Sequence, residues 1–242
     1  MLLLNHCLQN VWVMTQTWRN VLFIHWPISP TMLRPLIPAC LDIDTFQGNA
    51  WIGVVVFHME GIYPRGWKHW SVTPSFPEIN VRTYVTYHDE PGVYFLSLDV
   101  NNWASLHIAK RWYHLPYYRA NVSLTEREEG FHFEGVRYHR SFSMKGTYTP
   151  TGESFYAYPG TLTHFLTERY TLYSSDWRGN VYHARIAHSP WRLQTSDIFL
   201  NQNSLFSFHS WTPLREKGLV HFSPGVDTRV FPIQKIHENT FV

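Results

Sequence analysis

The run Glu78-Ile79-Asn80-Val81-Arg82-Thr83-Tyr84-Val85-Thr86-Tyr87 separates its side chains into two alternating sets. One set is Ile79, Val81, Thr83 and Val85, and the other is Glu78, Asn80, Arg82 and Tyr84. A repeat of two residues is typical of a β-strand, so the run predicts a strand with one polar face. Pro91-Gly92 predicts a turn, after which Val93–Leu98 returns as an antiparallel partner.

The rest of the chain continues as short strands separated by turns. Further strands are predicted at 18–26, 50–57, 121–125, 131–133, 136–142, 163–173 and 181–187, and two more between 218 and 236. The segment 163–173 fits a helix or a strand, and its β-branched and aromatic content favours the strand. The near-continuous apolarity of Ala50–Phe57 predicts burial on both faces.

Helices are predicted at 29–36, 101–114 and 195–208, the last capped by Ser196. Residues 149–152 are predicted to form a loop. Many strands in hairpin order with a few helices predict an α+β, β-rich fold with mainly antiparallel pairing.

Length and composition limit the class of protein. The 242 residues suit one large domain, and 17% aromatic with only 16% charged residues excludes a disordered chain. A net charge of +2 without a Lys/Arg run argues against a nucleic-acid partner. No apolar run reaches 18 residues, so no membrane segment is expected. We expect residues 1–13 to be a flexible leader or an upstream start, and residues 14–242 to form a single domain.

The two cysteines, Cys7 and Cys40, favour free thiols in a cytoplasmic protein over a disulfide between them. The spacing of other reactive residues excludes several kinds of chemistry. There is no glycine-rich phosphate loop and no Gly-x-Ser-x-Gly elbow. The 15 histidines include no His-x-x-x-His, and Cys-x-x-Cys is also missing. We therefore expect no metal site and no cofactor.

The polar face of the first strand allows two interpretations. Glu78 and Arg82 point the same way, so they form either a solvated ion pair or the wall of a cavity that positions a polar ligand. Glu168-Arg169-Tyr170 is likewise open to two interpretations, either a structural ion pair within the sheet or a second wall of the same cavity. The stretch Lys110–Ala120, KRWYHLPYYRA, is a second candidate site, because arginine and tyrosine hold anionic or carbonyl groups in partly dry pockets.

Seven short segments, taken in order, resemble the YqjF-like family of uncharacterised bacterial proteins, the DUF2071 family. They are Trp18–Asn20, His25–Pro27, Leu41–Asp44, Glu78–Val85, Tyr113–Tyr118, Phe165–Tyr170 and His188–Trp191. The resemblance extends from about Met14 to the C-terminus. It implies no established activity.

The chain also resembles acetoacetate decarboxylase more distantly. Leu33–Pro38, followed by Leu41 and Asp44, is similar to the Leu-Arg, Pro and Leu-x-Ile-Asp pattern of that family. This resemblance implies a cone-shaped, mainly antiparallel sheet that encloses a small-molecule cavity, with a few peripheral helices. Arg19 and Glu78 match an active-site arginine and glutamate of the decarboxylases, whereas Trp51 stands where they have a second glutamate.

The departures from the decarboxylase pattern bear on the chemistry. Leu115–Tyr118 falls where those enzymes have an aromatic-Pro-Lys-Lys segment, whose first lysine forms a Schiff base. Tyr117 and Tyr118 replace the two lysines, and tyrosine cannot form an imine. Lys110 lies seven residues before the matching position. The resemblance therefore implies the cavity without its imine chemistry.

These observations predict a cavity that binds a small carbonyl- or carboxylate-bearing molecule without the Schiff-base lysine pair. The candidate catalytic residues are Glu78, Tyr117 and Tyr118, and the expected ligand-binding residues are Arg19, Asn80, Arg82, Arg111 and Tyr113. Whether the protein is an enzyme stays open. One alternative is a lyase or isomerase that uses Tyr/Glu acid–base chemistry. Another is a non-catalytic structural or oligomerisation module with an aromatic surface, and a homo-oligomer is compatible with either.

Overall fold

The computed structural model describes residues 11–67, 71–101, 113–138 and 142–236. The strands in these ranges are β1 (Met14–Ile28), β2 (Asp42–Ile43), β3 (Ala50–Pro64), β4 (Phe76–Tyr87), β5 (Glu90–Val100), β6 (Tyr117–Arg127), β7 (Gly130–Arg137), β8 (Ser143–Phe155), β9 (Thr171–Ser175), β10 (Val181–Ala187), β11 (Leu193–Asn203), β12 (Leu219–Val230) and β13 (Gln234–Lys235). The helices are α1 (Pro30–Leu33), continued by a 3-10 turn at Arg34–Leu36, α2 (Leu162–Thr167) and α3 (Leu205–His209). Across these ranges, every helix is too short or too polar to span a membrane.

The strands form one sheet, in the order β13-β10-β9-β5-β6-β7-β8-β11-β12-β1-β3-β4-β2. Two further pairings, β4 with β5 and β10 with β12, close this sheet on itself twice. The first circuit is β5-β6-β7-β8-β11-β12-β1-β3-β4, and the second is β5-β9-β10-β12-β1-β3-β4. Strands β12, β1, β3, β4 and β5 are therefore a wall shared by the two circuits. Only β5–β6 and β5–β9 are parallel among these pairs, which confirms the β-rich, mainly antiparallel prediction.

The central strands are buried on both faces because they belong to the shared wall. Leu22 and Ile24 of β1 pack on one face with Phe131 of β7. Phe23, between them in the chain, packs on the opposite face in a different cluster. All residues of Ala50–Phe57 are buried, as the apolar run predicted.

The segment 195–208 does not form the predicted helix. Strand β11 extends to Asn203 and pairs with β8, and the helix α3 begins only at Leu205. Ile198 packs against the core whereas its neighbour Phe199 is 66% exposed. This alternation is typical of a strand, and the pairing with β8 overrides the helix-cap signal at Ser196. The predicted loop at 149–152 is part of β8 for the same reason.

The segment 163–173 divides into a helix and a strand, so the prediction of one continuous strand is wrong for its first half. The Thr161 hydroxyl accepts a hydrogen bond from the His164 N–H (3.3 Å) and caps α2. Strand β9 then begins at Thr171.

Other predicted boundaries are displaced or untested. The turn before β5 lies at His88 and Asp89, which have positive φ angles, and not at Pro91-Gly92. The strand predicted at 136–142 overlaps β7 only through Arg137, and residues 139–141 lie outside the described ranges. The helix predicted at 101–114 lies almost wholly outside the described ranges. Cys7 also lies outside them.

A partly buried ion pair joins Arg169, just after α2, to Asp44, just after β2. Arg169 Nη1 donates to Asp44 Oδ2 at 2.7 Å, and the guanidinium lies over the ring of Tyr84. Glu168 accepts a hydrogen bond from the Trp191 backbone N–H at 3.1 Å. These contacts favour the structural interpretation of Glu168 and Arg169 over the cavity-wall interpretation.

Replacing Asp44 by alanine should destabilise the protein by about 3 kcal/mol, because the Arg169 guanidinium would stay buried without its carboxylate. The matched control is Glu134→Ala. Glu134 pairs with Lys145 at 3.5 Å, but both side chains are about half exposed, so its loss should cost about 1 kcal/mol or less. Urea unfolding of the two variants measures the difference. Equal losses would contradict the structural role of the Arg169–Asp44 pair.

Candidate ligand-binding cavity

A cavity of about 110 Å³ is lined by strands of the second circuit together with the start of β6. Most of its wall is aromatic or aliphatic, and Trp18, Phe23, Phe57, Phe76 and Trp191 are among its aromatic side chains. The polar lining residues are Gln16, Thr73, Glu78, Asn80, Arg82, Tyr113 and Tyr117. No lysine is among the described residues that line the cavity. An apolar enclosure with a few convergent polar groups is the usual form of a small-molecule site.

The centre of the polar wall is the carboxyl group of Glu78, whose side chain is 2% exposed. It accepts a hydrogen bond at each oxygen: the Tyr117 hydroxyl donates to Oε2 at 3.1 Å, and Asn80 Nδ2 donates to Oε1 at 3.2 Å. The strands create this arrangement. Leu98 of β5 pairs with Asn80 on one side and with Tyr117 on the other, so both side chains point to the same face as Glu78.

Burial changes the acid–base properties of this group. It raises the pKa of Glu78 to about 7, an effect increased by the charge of Asp99 and opposed by the hydrogen bonds from Asn80 and Tyr117. Burial raises the pKa of Tyr117 well above its usual range, and the negative charge of Glu78 adds to this rise. Near neutral pH, Tyr117 is therefore a neutral hydrogen-bond donor, whereas Glu78 exists in both protonation states.

Arg82 brings a positive charge to the same face, two residues beyond Asn80. Its Nε is buried and has no hydrogen-bond partner among the described residues, and its guanidinium carbon lies 5.6 Å from the centre of the Phe23 ring. The ion pairs of the described residues do not include Arg82. A guanidinium that is planar, always charged and without an internal carboxylate is suited to binding an anionic ligand.

A second buried polar group lies beside Arg82. The Tyr84 hydroxyl donates to the Leu166 carbonyl at 2.8 Å and lies 2.7 Å from His25 Nε2. Because the hydroxyl has one hydrogen, His25 must donate to it through Nε2. Gly53 provides the space for this contact, since a Cβ there would lie 3.0 Å from His25 Cδ2. Burial lowers the pKa of His25 well below its usual range, and the positive charge of Arg82 lowers it further. The ring is therefore neutral.

The structure brings together five of the eight residues predicted from the sequence: Glu78, Asn80, Arg82, Tyr113 and Tyr117 all line the cavity. Two others lie elsewhere, and Arg111 lies outside the described residues.

Tyr118 points away from the cavity because consecutive strand residues face opposite sides. It is 45% exposed, and Arg137 packs over its ring at 4.2 Å. Arg19 is also outside the lining. It binds Asp227 at 2.9 Å and lies 3.8 Å from Glu60 on a partly exposed surface. Neither residue is placed to contact a ligand in this cavity.

Thr73 is a lining residue that the sequence did not indicate. It is 3% exposed, and its hydroxyl oxygen lacks a hydrogen-bond partner among the described residues. It lies between the strands predicted at 50–57 and from Glu78 onward, so nothing in the local pattern marks it. Trp191 is different, because the segment His188–Trp191 was among those carrying the family resemblance.

The twice-closed, mainly antiparallel sheet and its carboxyl-lined cavity define a protein of the acetoacetate decarboxylase-like fold class. The acetoacetate decarboxylase of Legionella pneumophila subsp. pneumophila str. Philadelphia 1 superposes with a TM-score of 0.65 at 11% identity, over 92% of this chain and 87% of that one. The enduracididine biosynthesis enzyme MppR, solved in complex with pyruvate, superposes with a TM-score of 0.66 at 11% identity, over 95% and 93% of the two chains. At these identities the likeness concerns the fold alone.

Sequence similarity identifies the family. Residues 15–227 match DUF2071, which is described as an uncharacterized conserved protein. The chain is also 34% identical to the uncharacterized protein YqjF of Bacillus subtilis (strain 168), over 226 residues and 93% of each chain. The chain belongs to the DUF2071 family.

The raised pKa of Glu78 predicts a stability effect with a definite sign. Between about pH 4.5 and pH 7 the folded protein retains a proton on Glu78 that the unfolded chain releases, so the contribution of Glu78 falls as the pH rises. Relative to Glu78→Gln, the wild type should lose about 3 kcal/mol of unfolding free energy between pH 4.5 and pH 8. Buried histidines such as His25 titrate equally in both proteins and cancel. Urea unfolding of both proteins across this pH range tests the prediction. If the difference in unfolding free energy between them does not change with pH, the carboxyl group is in water.

Proposed function

We propose that this protein binds a small molecule bearing a carbonyl or carboxylate group in the cavity described above. The observation that carries the proposal is the buried carboxyl of Glu78, held by Tyr117 and Asn80 on the polar wall of a mainly apolar cavity. Arg82, on the same wall, would hold the anionic end of the ligand. The Tyr117 hydroxyl, whose single hydrogen is donated to Glu78 Oε2, would hold the carboxyl group in place, and Glu78 would orient the carbonyl group of the ligand or exchange a proton with it.

The dimensions of the cavity limit the ligand. An apolar cavity of about 150 Å³ accommodates benzene, so a volume of about 110 Å³ suits a ligand of about four to six non-hydrogen atoms. The complex of MppR with pyruvate supports this ligand class, because pyruvate is a small oxo acid and MppR has a similar fold.

If a reaction follows binding, its chemistry would be proton transfer by Glu78 with Tyr117 as the hydrogen-bond donor. A pKa of about 7 lets Glu78 donate or accept a proton near neutral pH. This is the acid–base chemistry of a lyase or an isomerase.

We also propose a cytoplasmic location for the protein. The low number of cysteines, two in 242 residues, supports this location.

Self-association is a second candidate function, favoured by exposed aromatic side chains. Trp177, Tyr158 and Phe199 are 85%, 78% and 66% exposed. Aromatic residues are enriched at protein interfaces. Light scattering of the purified protein would measure the mass in solution, and a monomer at micromolar concentration would remove this candidate.

A thermal-shift screen with small oxo, hydroxy and carboxylic acids tests the binding proposal. A ligand present at about 100 times its Kd should stabilise the wild type by about 2.7 kcal/mol. Arg82→Ala should weaken binding of that ligand about tenfold to a hundredfold, because a charge-assisted hydrogen bond of about 1.5–3 kcal/mol is lost. Arg19→Ala is the matched control and should bind as the wild type does, since Arg19 lies outside the cavity. Loss of binding in the Arg19 variant alone would place the site elsewhere.

Borohydride trapping tests the imine route separately. The wild type should form no covalent adduct with pyruvate or acetoacetate under reducing conditions, because both lysine positions of the decarboxylase pattern hold tyrosine. Intact-mass spectrometry detects an adduct directly. An adduct mapped to Lys110, which lies outside the described residues, would restore the Schiff-base mechanism.

A further inference from the structure

Asn80 lines the cavity and has one of its two hydrogen-bonding atoms engaged. Its Nδ2 donates to Glu78 Oε1 at 3.2 Å. Its Oδ1 is buried and has no hydrogen-bond partner in the described part of the chain, and the residue as a whole is 4% exposed. Because Asn80 lines the cavity, the unengaged side of the amide is available to a bound molecule.

The orientation of this amide depends on the proton of Glu78. An ionised carboxylate only accepts hydrogen bonds, so Asn80 must offer its NH₂ group to Oε1 and turn its oxygen away from Glu78. When Oε1 carries a proton, it becomes a donor and needs the amide oxygen as its acceptor. A half-turn of the amide meets this need and directs the NH₂ group into the cavity. Tyr117 stays engaged with Oε2 in both states.

The surroundings of Glu78 place its proton exchange near neutral pH. On β6 the facing titratable group is Tyr117. On β5 the charge that acts on Glu78 is that of Asp99, which pairs with Ile79 on the opposite face of the sheet and is balanced by a buried pair with Arg137 of β7. On β3 the cross-strand partner is the apolar Phe57, and on β4 the next charged residue is Arg82. Burial among these groups raises the pKa of Glu78 to about 7.

We propose that Asn80 is a specificity-determining residue that turns its amide when Glu78 gains or loses a proton, so that the cavity offers a hydrogen-bond donor in one state and an acceptor in the other. The proposal rests on the cavity being the ligand site. Below neutral pH the site selects ligands with an acceptor oxygen, such as an oxo acid. Above neutral pH it selects ligands with a donor, such as a hydroxy acid.

Neutron diffraction tests the turn of the amide without any ligand. At pH 6, deuterium should lie on Glu78 Oε1 and point to the Asn80 oxygen. At pH 8, the deuterated amide nitrogen should point to Oε1. The same amide orientation at both pH values would overturn the proposal, whether or not the cavity binds a ligand.

Calorimetric titration with pyruvate and L-lactate tests the consequence for selectivity. The neutral fraction of Glu78 falls from about 0.9 at pH 6 to about 0.1 at pH 8, so the Kd of pyruvate should rise about tenfold. The Kd of L-lactate should rise less, because its hydroxyl can donate to the amide oxygen. The ratio of the two constants cancels the repulsion that Glu78 exerts on both carboxylates.

Two variants separate the contributions. Glu78→Gln should make both dissociation constants independent of pH. In Asn80→Leu, Glu78 should still repel the carboxylate of either ligand. The ratio of the pyruvate Kd to the L-lactate Kd should, however, stay constant from pH 6 to pH 8. A ratio that still varies in Asn80→Leu and becomes constant in Tyr117→Phe would assign the selection to Tyr117 and overturn the role of Asn80. If neither acid binds the wild type while the amide turns in the crystal, the binding proposal fails for these acids and the turn itself stands.

Discussion

The burial of one carboxyl group, that of Glu78, is the constraint on which the site depends. A carboxylate removed from water requires hydrogen-bond donors, and here they come from Asn80 on the same strand and from Tyr117 two strands away. Strand β5 lies between β4 and β6, and its Leu98 pairs with both Asn80 and Tyr117. This register places the two donors side by side across the sheet. Two hydrogen bonds only partly offset the cost of burial, which is why the pKa of Glu78 is raised to about 7.

The double closure of the sheet explains why such a group can exist in this protein. The shared wall of β12, β1, β3, β4 and β5 packs a conventional apolar core on one side, with Leu22 and Ile24 among its members. On the other side the same strands face the cavity, where Phe23 occupies the alternate position between Leu22 and Ile24. Polar residues that would destabilise a filled core are thereby tolerated on the cavity side. The unusually high aromatic content supplies the walls of this second compartment.

Local pattern predicts the parts of this arrangement that depend on local geometry. The alternation of Glu78–Tyr87 predicts β4 and places Glu78, Asn80 and Arg82 on one face, and the structure agrees. Prediction fails where distant parts of the chain decide the outcome. Strand β11 forms because it pairs with β8, against its own helix-cap signal. Arg19 is held outside the cavity by Asp227, 208 residues away in the chain. The single-domain assignment of residues 14–242 stays a prediction.

The titration of the Glu78 carboxyl carbon, followed by ¹³C NMR in the intact protein, tests the central claim most directly. The signal is assigned by its loss in Glu78→Gln. If the carboxyl is buried in the cavity between Tyr117 and Asn80, its chemical shift should titrate with a midpoint near pH 7. A midpoint near 4.5, the ordinary value for glutamate, would mean that the group is in water and that the cavity is not built around it.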